Sequence, residues 1–130
     1  MVIVDSTVWI DYFNGVDHAE TDWLESHLEL DRMGLTTIIL SEILQGIHDE
    51  KTATRVEAEL MHFAIFEAAS RPLAVQAARN YRALRRRGKT VRKTTDVLIA
   101  TFCIAEQHSL LHRDRDFDAF EALGLSVIRP

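Results

Sequence analysis

The chain has 130 residues, 47% of them hydrophobic and 27% charged, the size and balance of one compact domain with a single core. That balance excludes a disordered segment, and no apolar run approaches the roughly 18–20 residues that span a bilayer. The single cysteine, Cys103, excludes an internal disulfide and stands in an apolar stretch suited to a small buried thiol.

The net charge of −5 conceals an asymmetry. Residues 1–67 hold 14 acidic and 3 basic residues, while residues 68–130 hold 6 acidic and 12 basic. An acidic protein is a poor nonspecific binder of nucleic acid, so any such contact has to rest on a local basic stripe. The opening Met1-Val2-Ile3-Val4-Asp5 lacks the basic region and cleavage site of a secretory leader, and the expected location is the cytoplasm.

In chain order, residues 2–4 form a short β-branched run, the sign of a buried strand. It ends at Asp5-Ser6-Thr7, three residues suited to capping a helix over 8–13 that stops near Asn14-Gly15. A second helix is expected over about 18–30, with Trp23, Leu24, His27, Leu28 and Asp31 in helical rhythm and Gly34 as a breaker. Residues 35–40, rich in Thr and Ile, read as a second buried strand. Ser41-Glu42 opens a helix with Leu40, Ile43, Leu44 and Ile47 toward the core, and residues 51–62 continue as another. Residues 63–67 form a third strand.

Residues 71–87 make a strong helix with an apolar stripe of Ala74, Ala77, Ala78, Tyr81 and Leu84, ended by Gly88. Thr94-Thr95-Asp96 caps a long helix to about residue 108. Residues 109–111 are a strand, 116–123 a helical turn closed by Gly124, and 125–128 the last strand. Alternating strands and helices imply an α/β fold, a parallel sheet with helices on both faces, in one domain over 1–130.

In such a sheet, ligands bind beyond the carboxyl ends of the strands. Asp5 follows the first strand, Glu42 the second, Asp96 opens the long helix and Asp114 follows the strand at 109–111. Taken singly, each Asp reads as a helix cap and Glu42 as a solvated helix residue. Four carboxylates at one rim repel each other, and a hard divalent cation relieves that cost. Such an ion lowers the pKa of water and suits phosphodiester hydrolysis. Neither a dinucleotide fingerprint nor a P-loop is present, no Ser or Cys nucleophile with a base partner is apparent, and a helix end separates His108 from His112 as a zinc pair.

At these residues the sequence resembles the PIN-domain family, and within it VapC-type toxins of type II toxin–antitoxin systems. The resemblance is carried by Val2-Ile3-Val4-Asp5-Ser6-Thr7-Val8-Trp9, by Ser41-Glu42-Ile43-Leu44-Gln45-Gly46, by Thr95-Asp96-Val97-Leu98-Ile99-Ala100 and by Leu111-His112-Arg113-Asp114-Arg115-Asp116-Phe117, in the family's order over nearly the whole chain. It implies a Rossmann-like PIN fold with about four or five parallel strands, Mg²⁺- or Mn²⁺-dependent endoribonuclease activity, a homodimer and neutralisation by a cognate VapB-type antitoxin.

Carried over, Asp5, Glu42, Asp96 and Asp114 take the catalytic and metal-site roles. Asp5 and Asp96 would be the direct ligands, with Glu42 and Asp114 acting partly through water. Thr7 would support Asp5, and Ser6 would only cap its helix. His112 stands where members often carry Thr or Ser. Asp116 is open between a fifth acid in the pocket and the cap of the short helix at Phe117.

Arg79, Arg82, Arg85, Arg86, Arg87, Lys89, Arg92 and Lys93 place 8 of the 15 basic residues within 15 positions. Arg79, Arg82 and Arg86 share a helix face opposite the apolar stripe. With Lys89, Arg92 and Lys93 they are candidate RNA phosphate contacts; a solvated face or an antitoxin surface is the alternative. Trp9, Tyr12 and Phe13 exceed what one core face needs, and the surplus suggests a groove for an antitoxin helix, near Trp23 and Leu44. Two other readings compete. A phosphohydrolase with Asp5 as nucleophile lacks the second acid two residues on, where Thr7 stands. A binding-only module would need a degenerate site, and all four acids are present.

Overall fold

The structure is a computed structural model that describes residues 1–29 and 32–130. Leu30 and Asp31, expected in the second helix, lie outside the described residues. Five strands, β1 (Val2–Val4), β2 (Met33–Thr36), β3 (Ala64–Phe66), β4 (Ser109–Leu111) and β5 (Ser126–Val127), form one parallel sheet in the order β3-β2-β1-β4-β5. Six helices flank it: α1 (Ser6–Phe13), α2 (Ala19–His27), α3 (Thr37–Gln45), α4 (Glu50–Leu60), α5 (Arg71–Arg86) and α6 (Thr94–Ala105). A 3₁₀ segment over Arg115–Leu123 links β4 to β5. None of these helices is long and apolar enough to cross a membrane.

The central strands are apolar on both faces, as a covered parallel sheet requires. Ile3, Val4, Leu35, Leu110 and Leu111 are fully buried. On one helix, α6, seven residues from Asp96 to Cys103 are buried, so α6 is a core element rather than an amphipathic surface helix. The thiol of Cys103 lies in this core, where burial pushes its pKa up to about 12. The α5 helix ends as expected: Gly88 adopts φ +75°, a left-handed conformation that costs glycine little.

The expected strand at 35–40 is corrected. Its β-branched composition is genuine only to Thr36, whose side chain accepts from the Ile39 N–H at 3.2 Å and starts α3 there. Capping by Thr36 therefore overrides the strand preference of Ile38 and Ile39, and Glu42 lies in the second turn of α3 rather than at its start. Gly34 is likewise a strand residue, not a breaker. It is required by close approach: a Cβ there would lie 2.8 Å from the Ala64 carbonyl oxygen and 3.0 Å from the Phe66 ring.

Gly34→Ala is expected to destabilise the protein by about 1–3 kcal/mol through this overpacking, read from the midpoint of urea unfolding. An unchanged midpoint would show that β2 and β3 can separate freely.

Candidate metal centre

The strand order reverses direction between β1 and β4, so the connections leaving these neighbours diverge and open a crevice at their carboxyl ends. The acids are delivered to that crevice by four elements: Asp5 at the start of α1, Glu42 on α3, Asp96 on α6, and Asp114 with Asp116 at the 3₁₀ segment.

Asp5 leaves β1 with its backbone N–H still bonded to the Leu111 carbonyl at 2.9 Å. It is the N-cap of α1, with Oδ2 accepting from the Thr7 N–H at 3.2 Å and from the Thr7 hydroxyl at 2.7 Å. That hydroxyl in turn accepts the Arg113 N–H at 3.2 Å. Thr7 thus orients Asp5 and ties the loop after β4 to the start of α1. Ser6 does more than cap: it is buried, and its hydroxyl donates to Glu42 Oε1 at 3.2 Å across 36 residues of chain. The Ser6-Thr7 pair therefore sends one hydroxyl to each of two acids, a role that nothing in the spacing distinguishes from ordinary capping.

Asp96 does not cap α6; Lys93 occupies that position, and Asp96 sits in the first turn. After β4, Asp114 caps the 3₁₀ segment, its Oδ1 accepting the Asp116 N–H at 2.9 Å. Of the two roles open at Asp116, the capping position belongs to Asp114. One carboxylate oxygen each from Asp96, Asp114 and Asp116 lie within 4.8 Å of one another. Asp5 and Glu42 are outside that trio but within its field, since each is among the charges that act on Asp96.

His112 replaces the expected hydroxyl with a different hydrogen bond. Its Nδ1 accepts the Asp114 N–H at 3.1 Å, and its ring packs on Phe117 at 4.9 Å between centroids. The neutral ring then carries its proton on Nε2. Burial holds its pKa below the ordinary histidine value, against the pull of Asp5.

Burial and mutual repulsion leave the pocket short of positive charge. Asp96 is 3% exposed, and desolvation, followed by repulsion from Asp5, pushes its pKa up to about 7. Asp5 is raised by burial in spite of the Thr7 hydrogen bonds, and Glu42 by burial and then by Asp5. Among the described residues, Asp5 Oδ1, Asp96 Oδ2 and Asp116 Oδ2 are buried without a hydrogen-bond partner. Unpartnered buried oxygens are costly, and an all-oxygen donor set with unspent lone pairs fits a hard divalent cation. The acidic cluster is therefore of the kind that takes a divalent metal.

The basic stripe divides. Arg79, Arg82, Arg86 and Lys89 are exposed along and just beyond α5. Arg82 and Arg85 border an apolar groove of about 530 Å³ between α5 and α6, and the Arg85 guanidinium lies 5.5 Å from the Tyr81 ring centroid. Arg92 and Lys93 instead turn to the acids, with Arg92 Nε 3.5 Å from Asp116 Oδ2 and Lys93 Nζ 3.6 Å from Asp114 Oδ2. On the far side, Trp9 is 1% exposed and stacks on Phe13, so it is core. Half-buried Tyr12 and Phe13 line a cleft of about 170 Å³ with Leu28, Glu59, His62 and Phe63, rather than with Trp23 or Leu44.

The raised carboxylates give the metal-free protein a defined pH dependence. A carboxyl whose folded pKa is above its unfolded value contributes stability that is lost as pH rises through the folded pKa. The depressed His112 acts oppositely, below its ordinary value near 6.5. The melting temperature without metal is therefore expected to fall between about pH 6.5 and pH 8. Asp5→Asn keeps a capping oxygen and removes a charge that raises Asp96, so it should hold or raise the metal-free melting temperature at about pH 8. Asp5→Ala should lose about 1 kcal/mol with the cap. A large loss in Asp5→Asn would mean that its charge stabilises the fold.

Residues 2–123 match the PIN domain family. The chain is 34% identical over 121 residues to Ribonuclease VapC11 of Mycobacterium tuberculosis, covering 91% of this chain and 90% of that protein. Among solved structures it is similar to FitAcB from Neisseria gonorrhoeae, with a TM-score of 0.77 at 21% identity, covering 100% of this chain and 98% of that one. It is also similar to a toxin–antitoxin complex from Klebsiella pneumoniae, with a TM-score of 0.69 at 19% identity over 100% and 98% of the two chains. At those identities the two structures speak for the fold alone. Identity spread over nine-tenths of a VapC relative, together with the family match along nearly the whole sequence, makes this chain a member of the PIN-domain family, of the VapC type.

Proposed function

We propose that the protein is an Mg²⁺- or Mn²⁺-dependent endoribonuclease, the toxin of a type II toxin–antitoxin pair. The observation that carries this reading is the convergence of buried acids with unpartnered oxygens at the β1–β4 crevice of a chain whose relative is named a ribonuclease. Asp96, Asp114 and Asp116 would hold the ion, with Asp5 against them and Glu42 acting through water. A divalent ion held there would supply an acidified water and charge neutralisation for phosphodiester hydrolysis.

The chain's own residues do the rest. Thr7 and Ser6 fix Asp5 and Glu42, so these carboxylates need not reorganise as charge develops. His112 fixes the backbone at Asp114. The exposed Arg79, Arg82, Arg86 and Lys89 supply a sequence-independent track for RNA phosphates, which orients the strand without reading bases. The half-buried aromatics of α1 supply the apolar floor on which an antitoxin segment would dock, and a homodimer follows from the same family reading.

The test uses the purified chain freed of any partner, with RNA and Mg²⁺, Mn²⁺ or chelator. Internal cleavage is expected only with a divalent ion. Asp96→Asn should lower the rate by a factor on the order of a hundred or more, the several kcal/mol that a catalytic metal supplies. Intact RNA together with absence of divalent-ion binding would instead favour a binding-only module.

A further inference from the structure

Lys93 is in a position that local rules disfavour. It is the N-cap of α6, where Ser, Thr, Asp and Asn are preferred, and its side chain makes no capping hydrogen bond. A cation there also opposes the helix dipole. Something outside the helix must offset both terms. The ammonium lies 3.6 Å from Asp114 Oδ2, and its strongest electrostatic partner is Asp96, followed by Asp114, Glu42 and Asp5. The preceding residue, Arg92, reaches Asp116 at 3.5 Å. Asp114 and Asp116 therefore each lie within ion-pair distance of one of two adjacent side-chain cations, and Asp96 is held in the field of Lys93.

These contacts are loose. Neither forms a hydrogen bond, both exceed the 2.7–2.9 Å typical of charge-assisted bonds, and the Lys93 and Arg92 side chains are 57% and 82% exposed. By contrast, Arg129 grips Glu121 with two bonds of 2.6 and 2.9 Å. Exposed pairs contribute little and exchange readily.

We propose that Lys93, flanked by Arg92, is a built-in stand-in for the divalent ion: it holds the carboxylates together in the metal-free protein and is displaced when the ion enters. This rests on the metal-centre reading above. The exchange trades a loosely held single charge for a divalent ion, so positive charge faces the carboxylates in both states and more of it when the ion is bound. The acids stay assembled while metal is absent, at the expense of metal affinity.

The test compares the wild type with Lys93→Met, Lys93→Arg and, as a control for diffuse charge, Lys51→Met on the exposed face of α4. Mg²⁺ binding is titrated calorimetrically without RNA at about pH 8.5, where Asp96 stays ionised. Lys93→Met should bind Mg²⁺ about fivefold more tightly, the scale of an exposed ion pair, and the gain should shrink with added salt. Lys93→Arg and Lys51→Met should stay near the wild type. Without metal, Lys93→Met should melt lower than the wild type, and saturating Mg²⁺ should erase the difference. If Lys93→Met folds poorly, Lys93→Gln serves in its place.

A direct readout uses the three lysines of the chain. After ¹³C-methylation, the NMR signal absent from Lys93→Arg should move when Mg²⁺ is added, and that of Lys51 should not. Unchanged or weaker Mg²⁺ affinity in Lys93→Met, equal tightening in Lys51→Met, or an immobile Lys93 signal would overturn the inference. A wild type that binds neither Mg²⁺ nor Mn²⁺ would remove the metal-centre reading itself.

Discussion

Negative charge held away from water at the carboxyl edge of β1 and β4 is the constraint around which the rest of this molecule is arranged. Asp5 and Asp96 are 2% and 3% exposed, and transferring a carboxylate into such surroundings is costly unless it is hydrogen-bonded or paired. The sheet makes the crowding unavoidable, because β1 and β4 pair in register from Val2–Ser109 to Val4–Leu111 and so end side by side. The surroundings respond in two ways. Hydroxyls, an imidazole and backbone N–H groups take up one oxygen or the backbone of Asp5, Glu42 and Asp114. The remaining demand falls on cations, and the rise of the Asp96 pKa to about 7 indicates that the chain's own cations do not meet it fully.

Natural chains retain such unfavourable arrangements at working sites and compensate elsewhere. Here the compensation is visible in the core. Seven buried residues on α6 anchor the helix that carries Asp96. Phe117 and Phe120, both fully buried, anchor the 3₁₀ segment that carries Asp116. Large apolar side chains on the same short elements as the acids resist the repulsion among the carboxylates, and the cations beside the pocket offset part of what remains.

What the sequence made legible follows from how local each signal is. β1 and β4 are marked by short apolar runs followed within a few positions by the capping acids Asp5 and Asp114. The Ile-rich stretch before Glu42 misled because β-branched composition persists past Thr36, while a single threonine side chain ends the strand. Gly34 looked like a breaker because its need is non-local: the Ala64 carbonyl that excludes a side chain is 30 residues away in sequence. Ser6 to Glu42 and Thr7 to Arg113 belong to the same class, since each depends on which strand ends meet. The order of the family's motifs implied that Asp5, Glu42, Asp96 and Asp114 share one site, but not these supporting contacts.

The basic stripe illustrates the limit most clearly. Read as composition, residues 79–93 are one run of positive charge, and helical spacing sorts only those before Gly88 into faces. After the left-handed Gly88, the stretch before α6 carries Arg92 and Lys93 to the acids, while Arg79, Arg82 and Arg86 on α5 stay exposed. Charges that neutralise the pocket and charges open to solvent thus come from a single segment. The division between them is made by one left-handed glycine and by the extended stretch that follows it, not by the residues' chemistry. A nuclease requires both kinds of charge, and here the two kinds stand a few residues of backbone apart, with Arg82, Arg85 and Arg92 bordering the same groove between α5 and α6.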